Sequence, residues 1–337
     1  MDSEKTGAQS ELLFNRLSKR YRHLKKWARR IETNAFRLYD RDIPEIPLVL
    51  DLYGDAISGA VYKRSSGLKP DDEAGEDWLR AMKAAAAKAL AINEGNIFIK
   101  ERQRMRRRQD EGNQYGKIAA QGFYRDVIEG DLRFRVNLSD YLDTGLFLDA
   151  RKKRALIRSA MQPAIRVLNL FAYTCSLSVA AAKGGAKLVD SVDLSSTYLE
   201  WGKINFALNG LKERDGINFT RSDVIKFMAQ AERKGLNWDM IILDPPSFSN
   251  SKKMNSAFDL RRNYRELVCR SLSLLSPGGT LYFSSNAKGF RFAEDDFSNL
   301  AVKDLSKELA DEDFRGKRIP VCYSIKSPRT RRKPSPL

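Results

Sequence analysis

Three aspartates and one five-residue run carry most of the chemistry this sequence can offer. Asp193 and Asp223 each close a short apolar stretch, and Asp244-Pro245-Pro246-Ser247-Phe248 closes a third. A carboxylate at the end of a strand can accept from both hydroxyls of a ribose, which is one reading of Asp193. With Ser195 close behind it, a helix N-cap is the other. Asp223 can likewise accept from an adenine amino group or cap the helix that follows. In the DPPSF run two prolines fix the backbone and remove two donors, leaving a carboxylate, free carbonyls and the flat face of Phe248. Such a platform holds a planar base by its edge and its face. The plainer reading is a turn with an aromatic anchor.

These residues need a scaffold, and the hydrophobic pattern supplies one. From about residue 150, apolar strands alternate with helices: strands at 166–171, 188–194, 217–222, 240–243 and 280–284, with helices between them, the last over 258–275. That rhythm predicts a parallel, doubly wound α/β sheet. In such a sheet ligands lie beyond the carboxyl ends of the strands, where Asp193, Asp223 and Asp244 all fall. The first strand runs through Asn169-Leu-Phe-Ala-Tyr-Thr-Cys-Ser176 straight into a helix and has no GxGxxG. A dinucleotide pyrophosphate needs that bare backbone; a cofactor with ribose and adenine but no phosphate does not. S-adenosylmethionine has this description.

Three further segments are expected. Residues 1–35 read as one amphipathic helix with Leu13, Leu17, Tyr21, Leu24, Ala28 and Ile31 at helical spacing. Residues 36–140 form a small α+β, RNA-binding module with a hairpin at 46–63 turning on Tyr53-Gly54-Asp55, a helix at 78–91, and strands at 96–100 and 123–137. The loop 102–115 is expected to be mobile, 141–325 to be the sheet domain, and the tail 326–337 to be disordered.

Composition narrows the function classes. The 337 residues are 42% hydrophobic and 31% charged, enough for a packed core. The three cysteines show no CxxC spacing, and the single histidine, His23, removes most metal and His-dependent acid–base chemistry, so no metal is expected. Without an apolar run of membrane-spanning length or a secretory core, a cytoplasmic protein without membrane partners is expected. The 60 Lys and Arg against 43 Asp and Glu give a net charge of +17. The excess clusters at 16–30, 100–108 and 151–158, which suits a polyanion, a solvated basic surface being the alternative.

The strings DYLDTGLFLDAR, NLFAYTCS, VDLSSTYLEWGKINFALNG and DPPSFSNSKKM resemble the bacterial 23S rRNA guanine-N7 methyltransferase family. Many of its members form the C-terminal half of a bifunctional guanine-N2/guanine-N7 enzyme. The opening NRLSKRYRHLKKWARR is similar to the start of that half, so the likeness runs from about residue 14 to 325. It implies a class I, Rossmann-like methyltransferase fold, S-adenosylmethionine as donor, and 23S rRNA or a large-subunit precursor particle as partner. It further implies that Thr144, Phe147 and Asp149 close over the methionine end of the donor. Asn169, Phe171, Tyr173 and Thr174 form the first turn, Asp193 with Leu194 takes the ribose, and Asp223 takes the adenine. Asp244, Pro245, Pro246 and Phe248 hold the target base. Cys175 departs from the glycine that the family commonly has after the Tyr-Thr pair. The guanine-N2 half is not in this sequence, so a stand-alone enzyme that pairs functionally with a separate guanine-N2 methyltransferase is the expectation.

Four chemistries compete. Cytosine-C5 transfer needs a thiolate just after the fifth strand, where this chain has Ser284, Ser285 and Asn286; Cys269 on the preceding helix is the alternative thiol. Guanine-N2 transfer and a non-enzymatic, RNA-binding assembly factor are the others. Guanine N7 carries a lone pair and no proton, so its methylation needs alignment and electrostatic support but no general base. Carboxylates without a histidine suit it best.

Overall fold

The computed structural model describes residues 3–62, 73–102, 117–211, 216–249, 258–293, 297 and 300–327. The chain forms two compact units: Met1–Leu148 with Glu312–Lys317, and Asp149–Asp311 with Arg318–Leu337.

In the first unit, helix α1 (Ser3–Arg30) buries Leu13, Leu17, Leu24, Trp27 and Ala28, close to the expected stripe. Strands β1 (Ala35–Asp40), β2 (Leu48–Tyr53) and β3 (Ala56–Tyr62) form an antiparallel meander. The β2–β3 pairing is the expected hairpin, with Gly54 at φ 67 in its turn. Helix α2 (Glu73–Leu90) then crosses over, and β4 (Ile97–Arg102) pairs parallel to β3. Gly59 on β3 is obligatory, because a Cβ there would meet Leu50 Cδ2 at 2.7 Å and the Val49 carbonyl at 2.9 Å. The two helices share one core with the sheet, and the Trp78 indole donates to Gln9 Oε1 at 2.6 Å. A separate hairpin of β5 (Tyr124–Glu129) and β6 (Leu132–Asn137) completes the unit.

The structure therefore packs α1 into the same body as the module expected at 36–140, and that body runs to Leu148. Strand β1 has no counterpart among the expected elements. The Arg-rich loop 102–115, apart from Arg102, and the tail beyond 327 lie outside the described residues.

The second unit begins with α3 (Arg151–Ser159). It continues with β7 (Arg166–Leu170), α4 (Ser176–Lys183), β8 (Leu188–Asp193), α5 (Ser196–Leu208), β9 (Ile217–Arg221), α6 (Val224–Arg233) and β10 (Trp238–Leu243). Two-residue strands β11 (Phe248–Ser249) and β12 (Phe258–Asp259) precede α7 (Leu260–Ser273), β13 (Leu275–Ser285), β14 (Ala301–Asp304) and β15 (Val321–Lys326). The seven-stranded order is β14-β15-β13-β10-β7-β8-β9, with β15 antiparallel to both neighbours. This is the expected α/β fold, and its order reverses between β7 and β10, which makes that crevice the switch point. Val167, Leu168, Ile241, Leu243, Leu281 and Phe283 are essentially inaccessible and form the middle of the sheet.

Three details differ from the sequence pattern. The last helix starts at Leu260, because Phe258 and Asp259 pair with Phe248 and Ser249, and Asp259 caps α7 by accepting from the Arg261 amide at 3.0 Å. Ser276-Pro-Gly-Gly279 reads as a stop but lies inside β13, where the register with β10 shifts. The basic run at 151–158 is helix α3, not an exposed cluster: Arg151, Lys153 and Arg154 are buried.

Candidate active site

Leu170, Leu243 and Phe283 lie in register across β7, β10 and β13, so Phe171 and Asp244 leave the sheet beside Ser284 of β13. The turn after β7 is unusual. Phe171, Tyr173 and Cys175 have φ of 58, 51 and 61, three left-handed non-glycine residues in five positions. Each costs on the order of 1–2 kcal/mol, and such strain clusters at functional sites. Hydrogen bonds hold it: Ala172 N to the Val192 carbonyl at 3.0 Å, Cys175 N to the Ala172 carbonyl at 2.8 Å, and Tyr173 N to Asp193 Oδ2 at 2.8 Å. Cys175 thus takes the conformation a glycine would take. Its side chain fits because residue 202 on α5 is glycine; a Cβ there would lie 2.5 Å from Cys175 Sγ.

Asp193 accepts from Tyr173 N through Oδ2 and from Ser195 N through Oδ1, both at 2.8 Å. It thereby ties the end of β8 to the strained turn. The cap of α5 is Ser195, whose Oγ accepts from Tyr198 N, so Asp193 is not that helix's N-cap. Burial pushes the Asp193 carboxyl above its ordinary range, against the lowering effect of these amides. Leu194 beside it is half-buried. Asp223 does cap α6, Oδ1 accepting from Lys226 N at 3.0 Å.

Two of the expected turn residues are sealed in. Asn169 is 1% exposed; its amide donates to Ser178 Oγ at 2.8 Å, which also receives Ser191 Oγ. Thr174 is inaccessible, and its carbonyl accepts from Asn205 Nδ2 at 2.9 Å. Asn169 thus acts through its side chain and Thr174 through its backbone carbonyl. Thr144 and Phe147 belong to the first unit, where Thr144 Oγ1 shares a 2.9 Å hydrogen bond with the Tyr53 hydroxyl and Phe147 is exposed. Asp149 is half-buried at the start of the second unit.

After β10, Pro245 is buried while Asp244, Pro246 and Phe248 are half-buried. The Ser247 carbonyl accepts from Leu260 N at 3.1 Å, and its hydroxyl donates to Asn286 Oδ1 at 3.0 Å. Together with the β11–β12 pairing, these bonds fix the run on both sides. Lys153 of α3, which the sequence placed among polyanion-binding cations, instead points its ammonium at this platform. Nζ donates to Asp244 Oδ2 at 2.7 Å and to Ser284 Oγ at 2.8 Å. Burial works against its charge, but the Asp244 carboxylate outweighs it, so the Lys153 pKa is raised.

Two of the three thiols are buried. Burial pushes Cys175 far up, and pushes Cys322, opposite Ser284 in the β13–β15 ladder, up to about 11. Cys269 on α7 is half-buried. Among the described residues no cluster of His, Cys, Asp and Glu could hold a metal, and no helix is long and apolar enough to cross a membrane.

A half-buried acid braced by two amides, beside a helix-entry turn that lacks a pyrophosphate cradle, fits a nucleoside with no phosphate. A family model for S-adenosylmethionine-dependent methyltransferases matches residues 70–298. The chain belongs to that family. S-adenosylmethionine is accordingly the methyl donor of this methyltransferase. The chain is 41% identical over 312 residues to ribosomal RNA large subunit methyltransferase K of Neisseria meningitidis, covering 93% of this chain and 86% of the relative. It is also 41% identical over 321 residues to ribosomal RNA large subunit methyltransferase K/L of Pseudomonas entomophila, covering 94% of this chain but 42% of that protein. This methyltransferase therefore spans less than half the length of that K/L relative. Among solved structures, it is similar to a methyltransferase complexed with S-adenosylhomocysteine, with TM-score 0.72 and 25% identity, over 94% of this chain and 81% of that one.

Sequence reasoning missed two residues of this site. Gly202 had no signal except through Cys175, whose departure from glycine demands space somewhere. Lys153 was hidden inside a run of cations, and only the lack of an apolar stripe in that run marks it as unlike α1.

Proposed function

We propose that this methyltransferase transfers a methyl group to N7 of a guanine in 23S ribosomal RNA, as free RNA or within a large-subunit precursor particle. The relatives named above support the rRNA class, and the basic face of α1 supports a polyanionic partner. Lys19, Arg22, Lys25, Lys26, Arg29 and Arg30 are exposed there, while Arg16 is taken by Asp42 at 2.7 Å.

When bound, S-adenosylmethionine supplies an electrophilic methyl group on a sulfonium. Asp193 would hold the ribose diol through its remaining lone pairs, Phe171 and Tyr173 would shape the wall beside it, and Asp223 would receive the adenine amino group. Asp149 would lie toward the methionine end. Asp244 would accept from the edge of the guanine, with Pro245 and Pro246 denying that edge competing donors and Phe248 stacking on its face. Asn169 and Thr174 act here as buried supports.

The observation that carries the N7 reading over cytosine C5 is the state of the thiol nearest the platform. Cys322 lies across the ladder from Ser284, yet it is 3% exposed and, with its pKa near 11, stays a neutral thiol at pH 7. A nucleophile for C6 of cytosine is not offered there, whereas N7 attacks with its own lone pair. Incubating the protein and donor with unmodified 23S rRNA, followed by nucleoside mass spectrometry, tests the reading. The expected product is 7-methylguanosine; 5-methylcytidine or 2-methylguanosine would refute it.

A further inference from the structure

The first turn of α3 holds four consecutive cations, Arg151, Lys152, Lys153 and Arg154, and the first three end differently. Arg151 pairs with Asp311 at 3.0 Å and Lys152 donates to the Ala310 carbonyl at 2.6 Å, both structural ties. Lys153 ends on the base platform. Its side chain is 6% exposed, and a buried ammonium is tolerated only when paired. Its two partners sit on neighbouring strand ends, Asp244 after β10 and Ser284 on β13. The Asp244 side chain is 34% exposed, so the pair is closed on the lysine side and open on the carboxylate side.

That asymmetry matters for recognition. A part-exposed carboxylate on its own samples several rotamers, and a misplaced contact to a reacting base is costly in rate. An ammonium fixed by a helix and a second strand removes this freedom. It also keeps Asp244 in an ion pair, in which the carboxylate only accepts. The Watson–Crick edge of guanine presents two adjacent donors, N1–H and the N2 amino group, which match such an acceptor.

We propose that Lys153 is the positioning residue of the base platform: held by Ser284, it fixes the Asp244 carboxylate in the orientation that receives the donor edge of the target guanine. This rests on the role proposed above for Asp244. Lys153 touches neither base nor donor; it acts through Asp244. Removing the ammonium frees the carboxylate without removing it.

A double-mutant cycle tests this with Lys153→Met, Asp244→Asn and the double variant. The readouts are single-turnover methyl transfer to 23S rRNA, KM for that RNA, thermal melting, and the Kd of S-adenosylhomocysteine by calorimetry. Lys153→Met is expected to slow transfer at least tenfold, with KM and the calorimetric Kd changed less than about threefold. In the Asp244→Asn background the same substitution is expected to change the rate less than twofold, because the group it positions is already gone. Equal losses in both backgrounds, an unchanged rate in Lys153→Met, or a Kd that rises in step with the loss of rate would overturn the proposal. Should Lys153→Met melt below the assay temperature, the double variant removes both charges and is compared with Asp244→Asn alone. Equal rates support positioning, and a slower double variant refutes it. A wild-type rate in Asp244→Asn itself would instead remove Asp244 from the base site and refute the parent reading.

Discussion

Helices α1 and α3 are both dense in arginine and lysine, and they use those charges in opposite ways. In α1 the leucines at 13, 17 and 24 form a stripe that takes the buried face, and Lys19, Arg22, Lys25, Lys26, Arg29 and Arg30 are left facing water. In α3 the apolar residues Ala155, Leu156 and Ile157 are consecutive and form no stripe, so Arg151, Lys153 and Arg154 take the buried face with Ile157. Buried cations need partners, and Asp311 between β14 and β15, Asp244 after β10 and Ser284 on β13 provide them. A count of charges therefore does not identify a nucleic-acid surface; the apolar period beneath the charges does.

The largest expected effect comes from breaking a buried pair in α3. Arg151→Leu breaks the ion pair with Asp311, the two side chains being 6% and 10% exposed, and should cost about 3–5 kcal/mol in urea denaturation. A cost below about 1 kcal/mol would make the pair equivalent to one on the surface of α1.

Asp140 sharpens the comparison as a buried anion answered mainly by neutral donors. Burial alone would raise its pKa, but the Ser139 hydroxyl, the Gly122 and Gln121 amides and the Asn137 side chain outweigh it and hold the carboxyl down to about 2. Because the folded value lies below the ordinary 3.8, the contribution is complete at neutral pH and is lost as pH falls from about 4 to about 2. Asp140→Asn should lower stability by about 2 kcal/mol at pH 7 and flatten the acid limb of the stability profile between those values. An unchanged acid limb would contradict the assignment.

A steric counterpart separates packing from charge. Gly202→Ala forces a methyl against Cys175 Sγ and should cost about 1–3 kcal/mol in thermal or urea unfolding. Cys175→Gly in the same chain should recover most of that loss; no recovery would mean that the two positions are not coupled. The smallest stability effect belongs to α1. Reversing Lys25, Lys26, Arg29 and Arg30 should change folding stability by less than about 1 kcal/mol. It should weaken RNA binding and flatten its salt dependence, each lost phosphate contact reducing the slope by about 0.7–0.9. An unaltered slope would make α1 a solvated face only.

The parallel sheet was legible because its strands are continuous apolar runs separated by amphipathic helices, and so were the strand ends that carry Asp193, Asp223 and Asp244. Strands β14 and β15 were not legible: β14 is largely exposed and short, and β15 mixes polar with apolar residues over only six positions. At the site, two aspartates at similar strand ends differ in whether they cap the helix that follows. Asp223 caps α6, whereas Asp193 leaves capping to Ser195 and braces the turn, a distinction of backbone geometry that residue types do not encode. Asn169 and Thr174 had the right position in the motif, but their side chains point into the packed layer beneath it. Lys153 could not be read because its partner lies 91 positions away.

The central claim is that Asp244 aligns a base whose own lone pair attacks the methyl group. The most direct test compares single-turnover methyl transfer to 23S rRNA by Asp244→Ala and by a chain with Cys175, Cys269 and Cys322 replaced by serine. Asp244→Ala is expected to lose more than tenfold in rate, toward the roughly hundredfold cost of misaligning a reacting group. The cysteine-free chain should keep most of its rate and still yield 7-methylguanosine. Loss of transfer without the thiols, with Asp244→Ala near the wild-type rate, would contradict the account.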